Sequence, residues 1–391
     1  MTNKTTPLTL EKVKEIAKTY PTPFVIYDKK AIIENMKEFK EAFSWVDFKN
    51  YFAVKACPNP TLLKILKELS ADCSSMELVM SELVITKEIM FTSNNTKYDE
   101  FMKAHKIAII NFDDITHIDY YKETVFLPRI SCCRYNPPLK KNTIIKPEEA
   151  KYMKREQLFE AYKKLRDHVH HFLHTMVASN ELNPEYFIET AKILFELVVE
   201  LEKELNITFD FVNLGIGIPY KPEQKKVDLN VVSKIKKEYE KIINNREKPL
   251  KIVMECGRMI TPYGYLVTEV LHITDKYKQY VVDASMQCLM RPALYAYHHI
   301  TVLKEDKKNT MTYDVTSLCE NNDKFAIDRE LPKIDEDIIV IHDAAHTAMF
   351  NYNAKLRPAE LLLEENEVTL IRRAETLNEL FATVNINFDY K

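Results

Sequence analysis

Short apolar runs punctuate the first two thirds of the chain, each too brief for a helix and each ending on a polar or chemically capable residue. In order they are YFAV before Lys55, ADCSS at 71–75, EIMF before Thr92, IAII before Asn111, ISCC before Arg134, HFL before His174, FDFVNL before Gly215 and KIVM before Glu255. Segments with helical spacing lie between them. PTLLKILKEL sets Leu62, Leu63, Leu66 and Leu69 on one face, and NPEYFIETAKILFELVVELEKEL and DLNVVSKIKKEYEKIINN are amphipathic over several turns. Eight such alternations predict a TIM-like (β/α)8 barrel. After Arg258 the texture changes to β-rich runs, YLVTEVLHIT, YKQYVVDAS, IIVIHDA and VTLIRRAETL, without long helices between them. These predict a second, C-terminal β domain, a sandwich or a β-barrel. PTPFVIYD (21–28) is an isolated strand ahead of the first barrel helix and is placed with that domain. The expected organisation is a segment at 1–30 joining the β domain, a barrel at 31–260 and the β domain at 261–391.

Composition narrows the classes of function. A chain of 391 residues, 46% hydrophobic and 29% charged, is long enough for two sizeable cores. Its 55 basic and 58 acidic residues are interspersed, giving a net charge of −3 and no basic stripe of the kind that neutralises a nucleic-acid backbone. No apolar stretch approaches the roughly 20 residues that span a bilayer, and MTNKTTPLTLEKVKE has no signal-like apolar region, so a cytoplasmic protein is expected. The seven cysteines (57, 73, 132, 133, 256, 288 and 319) are odd in number, scattered and without a CxxC spacing. That speaks against a disulfide framework and against a metal site.

In a barrel of this type the active site gathers at the C-terminal ends of the strands. Lys55, Asp72, Arg134, His174, Gly215 and Glu255 all fall there. Each alone has an ordinary reading, since strands end in something polar and a lone lysine is usually a solvated end charge. Six together point to chemistry.

The motifs YFAVKACPNP, ADCSSMELV, HTMVASNEL, NLGIGIPY, MECGRMI, LMRPALYAYHHI, SLCENNDKF and NYNAKLRPAELL follow one another across nearly the whole chain. In this order they resemble the diaminopimelate decarboxylase group of fold-type III pyridoxal-phosphate enzymes, relatives of ornithine decarboxylase and alanine racemase. The resemblance implies pyridoxal 5'-phosphate as cofactor, conversion of meso-2,6-diaminopimelate to L-lysine and carbon dioxide in lysine biosynthesis, and a homodimer with shared active sites. It implies Lys55 as the residue that binds the cofactor covalently, a task suited to an amine nucleophile, with Asp72 beside it. Glu255 holds the position that keeps the pyridine nitrogen protonated, so that the ring can accept an electron pair.

For the phosphate, the family places Gly215 and Gly217 in one loop, Gly257 and Arg258 in another, and Ser179 as a hydrogen-bonding hydroxyl. Met176 stands where many relatives carry a histidine stacked on the cofactor ring, and a thioether can cover that face. His174 aligns with a different family histidine and is open to both a cofactor-binding and a structural reading. Arg291 and Tyr295 match the pair that binds the distal carboxylate of diaminopimelate. Cys319 matches the acid that returns a proton to the alpha carbon, and Glu320 a contact to the distal ammonium, both reaching over from the neighbouring subunit. His346 replaces a tyrosine that touches phosphate and substrate in many relatives, and Tyr352 is a second candidate for the cofactor edge. Two alternatives remain: a decarboxylase of another basic amino acid or of carboxynorspermidine, and a non-catalytic cofactor-binding relative.

Four of the 391 residues are glycine, about 1% where roughly 7% is usual. Against the family pattern, NLGIGIPY, NPPL, MITPYGY, YVVDAS, VTSLCEN and DAAHTAMF run a residue or more short where a glycine is expected. Turns that need positive φ then fall on residues with a Cβ, and a residue lost inside a strand turns the following side chains to the other face. Disturbed registers and poor folding are the expectation.

Overall fold

The computed structural model describes residues 6–66, 69–74, 82, 88–93, 96–124, 130–137, 153–167, 170–176, 183–215, 220–221, 226–257, 261–294, 298–303, 310–317, 323–333, 337–342, 344 and 349–384. The chain divides into two compact units, Ile33–Met259 and Met1–Ile32 with Ile260–Lys391.

The strand β1 (Phe24–Asp28) precedes the first of these units. Within it, β2 (Phe48–Ala53), β3 (Ser70–Cys73), β4 (Ile89–Thr92), β5 (Ile109–Phe112), β6 (Ile130–Arg134), β7 (His170–His174) and β8 (Phe209–Asn213) run parallel. A short hairpin follows, β9 (Tyr220–Lys221) with β10 (Lys226–Val227), and then β11 (Lys251–Met254), which pairs with both β8 and β2 and closes the barrel. All eight apolar runs are strands of this barrel. The helices between them start where short polar side chains can take up free backbone N–H groups: Asn59, Asn183 and Asp228 cap Pro60–Ile65, Pro184–Leu205 and Leu229–Ile242. The first of these is shorter than its leucine spacing predicts. It ends at Ile65, and Leu69 instead lies in the turn into β3, its N–H donating to Leu66 O at 2.7 Å.

The barrel interior follows from the two-residue period of a strand. Tyr51, Met90, Ile109, Cys132, Phe172, Phe211 and Val253 form one buried cluster, with the Phe172 and Phe211 rings stacked at 3.5 Å between centroids. Two residues past six of these seven positions stand Thr92, Asn111, Arg134, His174, Asn213 and Glu255, and two past Tyr51 stands Ala53. The lining therefore changes from apolar to polar in one step, at the end where the following loops gather.

The other unit is a nine-stranded mixed sheet made by β1, β12 (Gly264–Thr274), β13 (Gln279–Val282), β14 (Ile300–Val302), β15 (Thr310–Thr316), β16 (Lys324–Pro332), β17 (Asp337–Ile341), β18 (Ala359–Glu364) and β19 (Glu367–Arg372). β1 lies between β12, antiparallel, and β18, parallel. Phe24, Ile26, Tyr265, Val267, Val340, Leu361 and Leu363 pack with Val13 and Ile16 of the helix Leu10–Thr19. Fully burying a side chain of this size is worth about 1.5–3 kcal/mol.

The ladders of both units carry local irregularities, of which only the shift at Val315/Thr316 falls in a glycine-short motif. Registers shift at Val270/His272, Tyr313/Val315, Val315/Thr316, His171/Phe172 and Glu360/Leu361. Left-handed φ falls on Asn206, Lys278, Asp328, Asn353, Ala354 and Glu365, most of them in the β unit. Among the described residues no helix is long and apolar enough to cross a membrane, no His, Cys, Asp and Glu side chains group to hold a metal ion, and the described cysteines are free thiols.

Candidate active site

Lys55 sits in a single turn, Val54–Ala56, directly after β2, closed by a bond from Cys57 N–H to Val54 O at 3.0 Å. Its neighbours Val54 and Ala56 are buried while Lys55 itself is exposed, so the turn anchors a free amine at the strand end. The loop after β11 presses on this turn. A Cβ on Gly257 would come within 2.9 Å of Ala56 Cβ, so a glycine is what permits the approach. Cys256 N–H fixes the same loop by donating to Asn50 Oδ1 at 3.1 Å.

Asp72 and Glu255 are both about 5% exposed, and their surroundings treat them differently. Burial, then the charge of Glu255, pushes the Asp72 carboxyl well above the usual range, against the pull of Lys55, Thr92 and Arg134. For Glu255 burial acts upward too, but His174, Arg134 and Asn213 outweigh it and hold the group below the ordinary value. Asn213 Nδ2 donates to Glu255 Oε1 at 2.6 Å, and His174 Nε2 lies 3.1 Å from the same oxygen. Burial outweighs the attraction of Glu255 and leaves His174 harder to protonate than a free imidazole.

Gly215 has φ +74° at the end of β8, and a Cβ there would overlap Thr175 O at 2.2 Å. Its N–H donates to Asn213 Oδ1 at 2.9 Å, and its carbonyl accepts from Glu255 N–H at 2.6 Å. The glycine turn and the carboxylate are thus built as one piece. Beside them the Arg134 guanidinium bonds Asp113 Oδ1 and Met176 O, both at 3.2 Å.

Of the residues singled out in the sequence, Lys55, Asp72, His174, Gly215, Glu255 and Gly257 come together at this end of the barrel. Arg291, which opens the short helix Arg291–Leu294, and Tyr352, in the turn Tyr352–Ala354, belong to the β unit, and both are half-buried. Ser179, Gly217, Arg258, Tyr295, Cys319, Glu320 and His346 lie outside the described residues. Asn213 and Asp113 carried no signal of their own in the sequence. Two positions past the interior residue Phe211 stands Asn213, but Asp113 lies past the end of β5.

The model of the family described as pyridoxal-dependent decarboxylase, pyridoxal binding domain, matches residues 29–262. The chain belongs to the pyridoxal-dependent decarboxylase family. Among members of that family, Protein TabA of Pseudomonas amygdali pv. tabaci is 37% identical over 388 residues, covering 93% of this chain and 91% of that protein. The diaminopimelate decarboxylase of Methanothermobacter thermautotrophicus is 30% identical over 402 residues, covering 95% and 94%. The structure of the M. jannaschii diaminopimelate decarboxylase in complex with L-lysine superposes with a TM-score of 0.85 at 29% identity, covering 96% of this chain and 94% of that one. Like the rest of the pyridoxal-dependent decarboxylase family, this protein takes pyridoxal phosphate as cofactor. The residues present fit it: a free amine at a strand end, a buried carboxylate kept ionised, a second carboxyl whose Oδ1 has no hydrogen-bond partner, and glycines where backbone must come close.

Proposed function

We propose that this protein decarboxylates meso-2,6-diaminopimelate to L-lysine and carbon dioxide as a homodimer with shared active sites. The observation that carries the reading is the pairing of the exposed Lys55 amine with an ionised, fully surrounded Glu255 at one barrel end, in a chain matched almost end to end by diaminopimelate decarboxylases. Pyridoxal phosphate, when bound, supplies the electron sink for the pair left by departing carbon dioxide. Lys55 binds the cofactor through its amine. Glu255 holds a proton on the pyridine nitrogen, and Asp72, biased towards its protonated form, exchanges a proton with Lys55 Nζ. Gly215, Gly217, Ser179, Gly257 and Arg258 receive the phosphate, with His346 and Tyr352 at the cofactor edge. Arg291 and Tyr295 take the distal carboxylate in a forked geometry. Glu320 takes the distal ammonium and Cys319 returns a proton to the alpha carbon, both from the neighbouring subunit.

A second reading has one observation in its favour: the identity to Protein TabA, 37%, exceeds that to the diaminopimelate decarboxylases cited above. In it the same barrel chemistry serves another basic amino acid. Titration with pyridoxal phosphate and release of carbon dioxide from meso-diaminopimelate, ornithine and arginine test both. A visible absorption band that Lys55→Ala abolishes, with release from meso-diaminopimelate, is the expected result. Release from ornithine or arginine alone selects the second reading, and a parent protein without the band defeats both.

A further inference from the structure

Asn111 has no part in the chemistry above, yet His174 rests on it. Asn111 Nδ2 lies 2.5 Å from His174 Nδ1 and 3.3 Å from Thr92 Oγ1. An amide nitrogen only donates, so His174 Nδ1 accepts and a neutral ring carries its single proton on Nε2. That nitrogen faces Glu255 Oε1 at 3.1 Å, close but not yet aligned as a hydrogen bond. Such contacts at active sites often straighten when the site fills. His174 is completely buried, and its two nitrogens are directed at Asn111 and Glu255.

We propose that Asn111 and His174 are positioning residues for Glu255: Asn111 selects the imidazole tautomer, and the Nε2–H of that tautomer fixes the carboxylate that meets the cofactor's pyridine nitrogen. This rests on the role given to Glu255 under the proposed function. It also decides between the two readings of His174, placing it behind the carboxylate and not against the cofactor. The opposite amide orientation would set Asn111 Oδ1 against Nδ1, move the proton there, and leave the lone pair of Nε2 facing a carboxylate. The charged groups that bear on the ring are Glu255 after β11, Arg134 at the end of β6 and Asp113 after β5. Arg134, with burial, keeps the ring neutral; Glu255 and Asp113 act the other way. A neutral ring is the state in which a choice of tautomer has meaning.

Nitrogen-15 NMR of histidine-labelled protein, with His174→Gln to identify the signal, reads the tautomer with or without cofactor. The expected result near pH 7 is a pyridine-like Nδ1 and a pyrrole-like Nε2 in the parent. In Asn111→Asp, which offers acceptors where the amide offered a donor, the proton moves to Nδ1 or the ring becomes doubly protonated. Pyridoxal phosphate should bind about tenfold or more weakly to Asn111→Asp and His174→Leu, the scale of one lost bond to a charged group. Circular dichroism establishes that each variant is folded. An Nδ1-protonated ring in the parent, or an unchanged tautomer in folded Asn111→Asp, overturns the relay. So does affinity within about twofold of the parent in the folded variants. If the parent binds no cofactor the underlying reading fails as well, whereas normal binding with the wrong tautomer defeats the relay alone.

Discussion

Two carboxyl groups share the end of the barrel, and their surroundings push their proton affinities apart. Asp72 is raised by burial and by the charge of Glu255, whereas Glu255 is held down by His174, Arg134 and Asn213 despite its own burial. The cost of this arrangement falls partly on His174, whose pKa burial lowers. The sign of the pH effect follows from proton counting. As pH falls below about 6.5 an unfolded chain protonates this histidine more readily than the folded one does, so its contribution to stability is lost as pH falls. His174→Leu should therefore flatten the decline in unfolding free energy as pH falls below about 6.5, by up to about 1.4 kcal/mol per pH unit. Urea unfolding of parent and variant at matched pH measures the difference, and parallel slopes would refute it. Arg134 supplies a second test. It and Asp113 are 5% and 2% exposed, so Asp113→Ala takes the carboxylate away from a buried guanidinium and should cost about 3–5 kcal/mol in the same urea experiment.

At the scale of elements, most left-handed positions among the described residues carry no glycine. Ala354, at φ +54°, and Glu365, at φ +54° between β18 and β19, carry a Cβ where it crowds the backbone. Ala354→Gly and Glu365→Gly should each raise the unfolding midpoint, by an amount equivalent to about 1 kcal/mol once the greater freedom of glycine in the unfolded chain is counted. Gly215→Ala should do the reverse, destabilising by about 2–3 kcal/mol and weakening cofactor binding, because its Cβ would meet Thr175 O. The eight barrel strands were legible because a buried parallel strand is a short unbroken apolar run, and the residue closing each run is easy to see. The polar layer was only half legible. Lys55 and Glu255 drew notice as ionisable strand ends, but Asn111 and Asn213 are ordinary residues there until neighbouring strands bring them to His174 and Glu255. That juxtaposition depends on inter-strand register, which a single strand's sequence does not contain.

At the scale of the molecule, the shared active site is a quantitative claim. If Cys319 serves the neighbour's Lys55, inactive Lys55→Ala and Cys319→Ala proteins should regain activity on mixing. Random exchange of subunits in a two-fold dimer gives about one quarter of the parent value, because half the dimers are mixed and each has one intact site. Activity assays on exchanged mixtures, with the dimer confirmed by sedimentation, check this; no recovery after proven exchange would place both residues in one subunit's site. The position of β1 carries a different consequence, for synthesis. Ile26 pairs with Tyr265 on one side and Leu361 on the other, so a strand made before the barrel is completed by strands made after it. The barrel segment can close while translation continues, but β1 keeps one edge open until β12 emerges and the other until β18 does. A nascent chain stalled just before Ala359 would still display the β18-facing edge of that strand, an opening for pairing with another chain that only the synthesis of β18 removes.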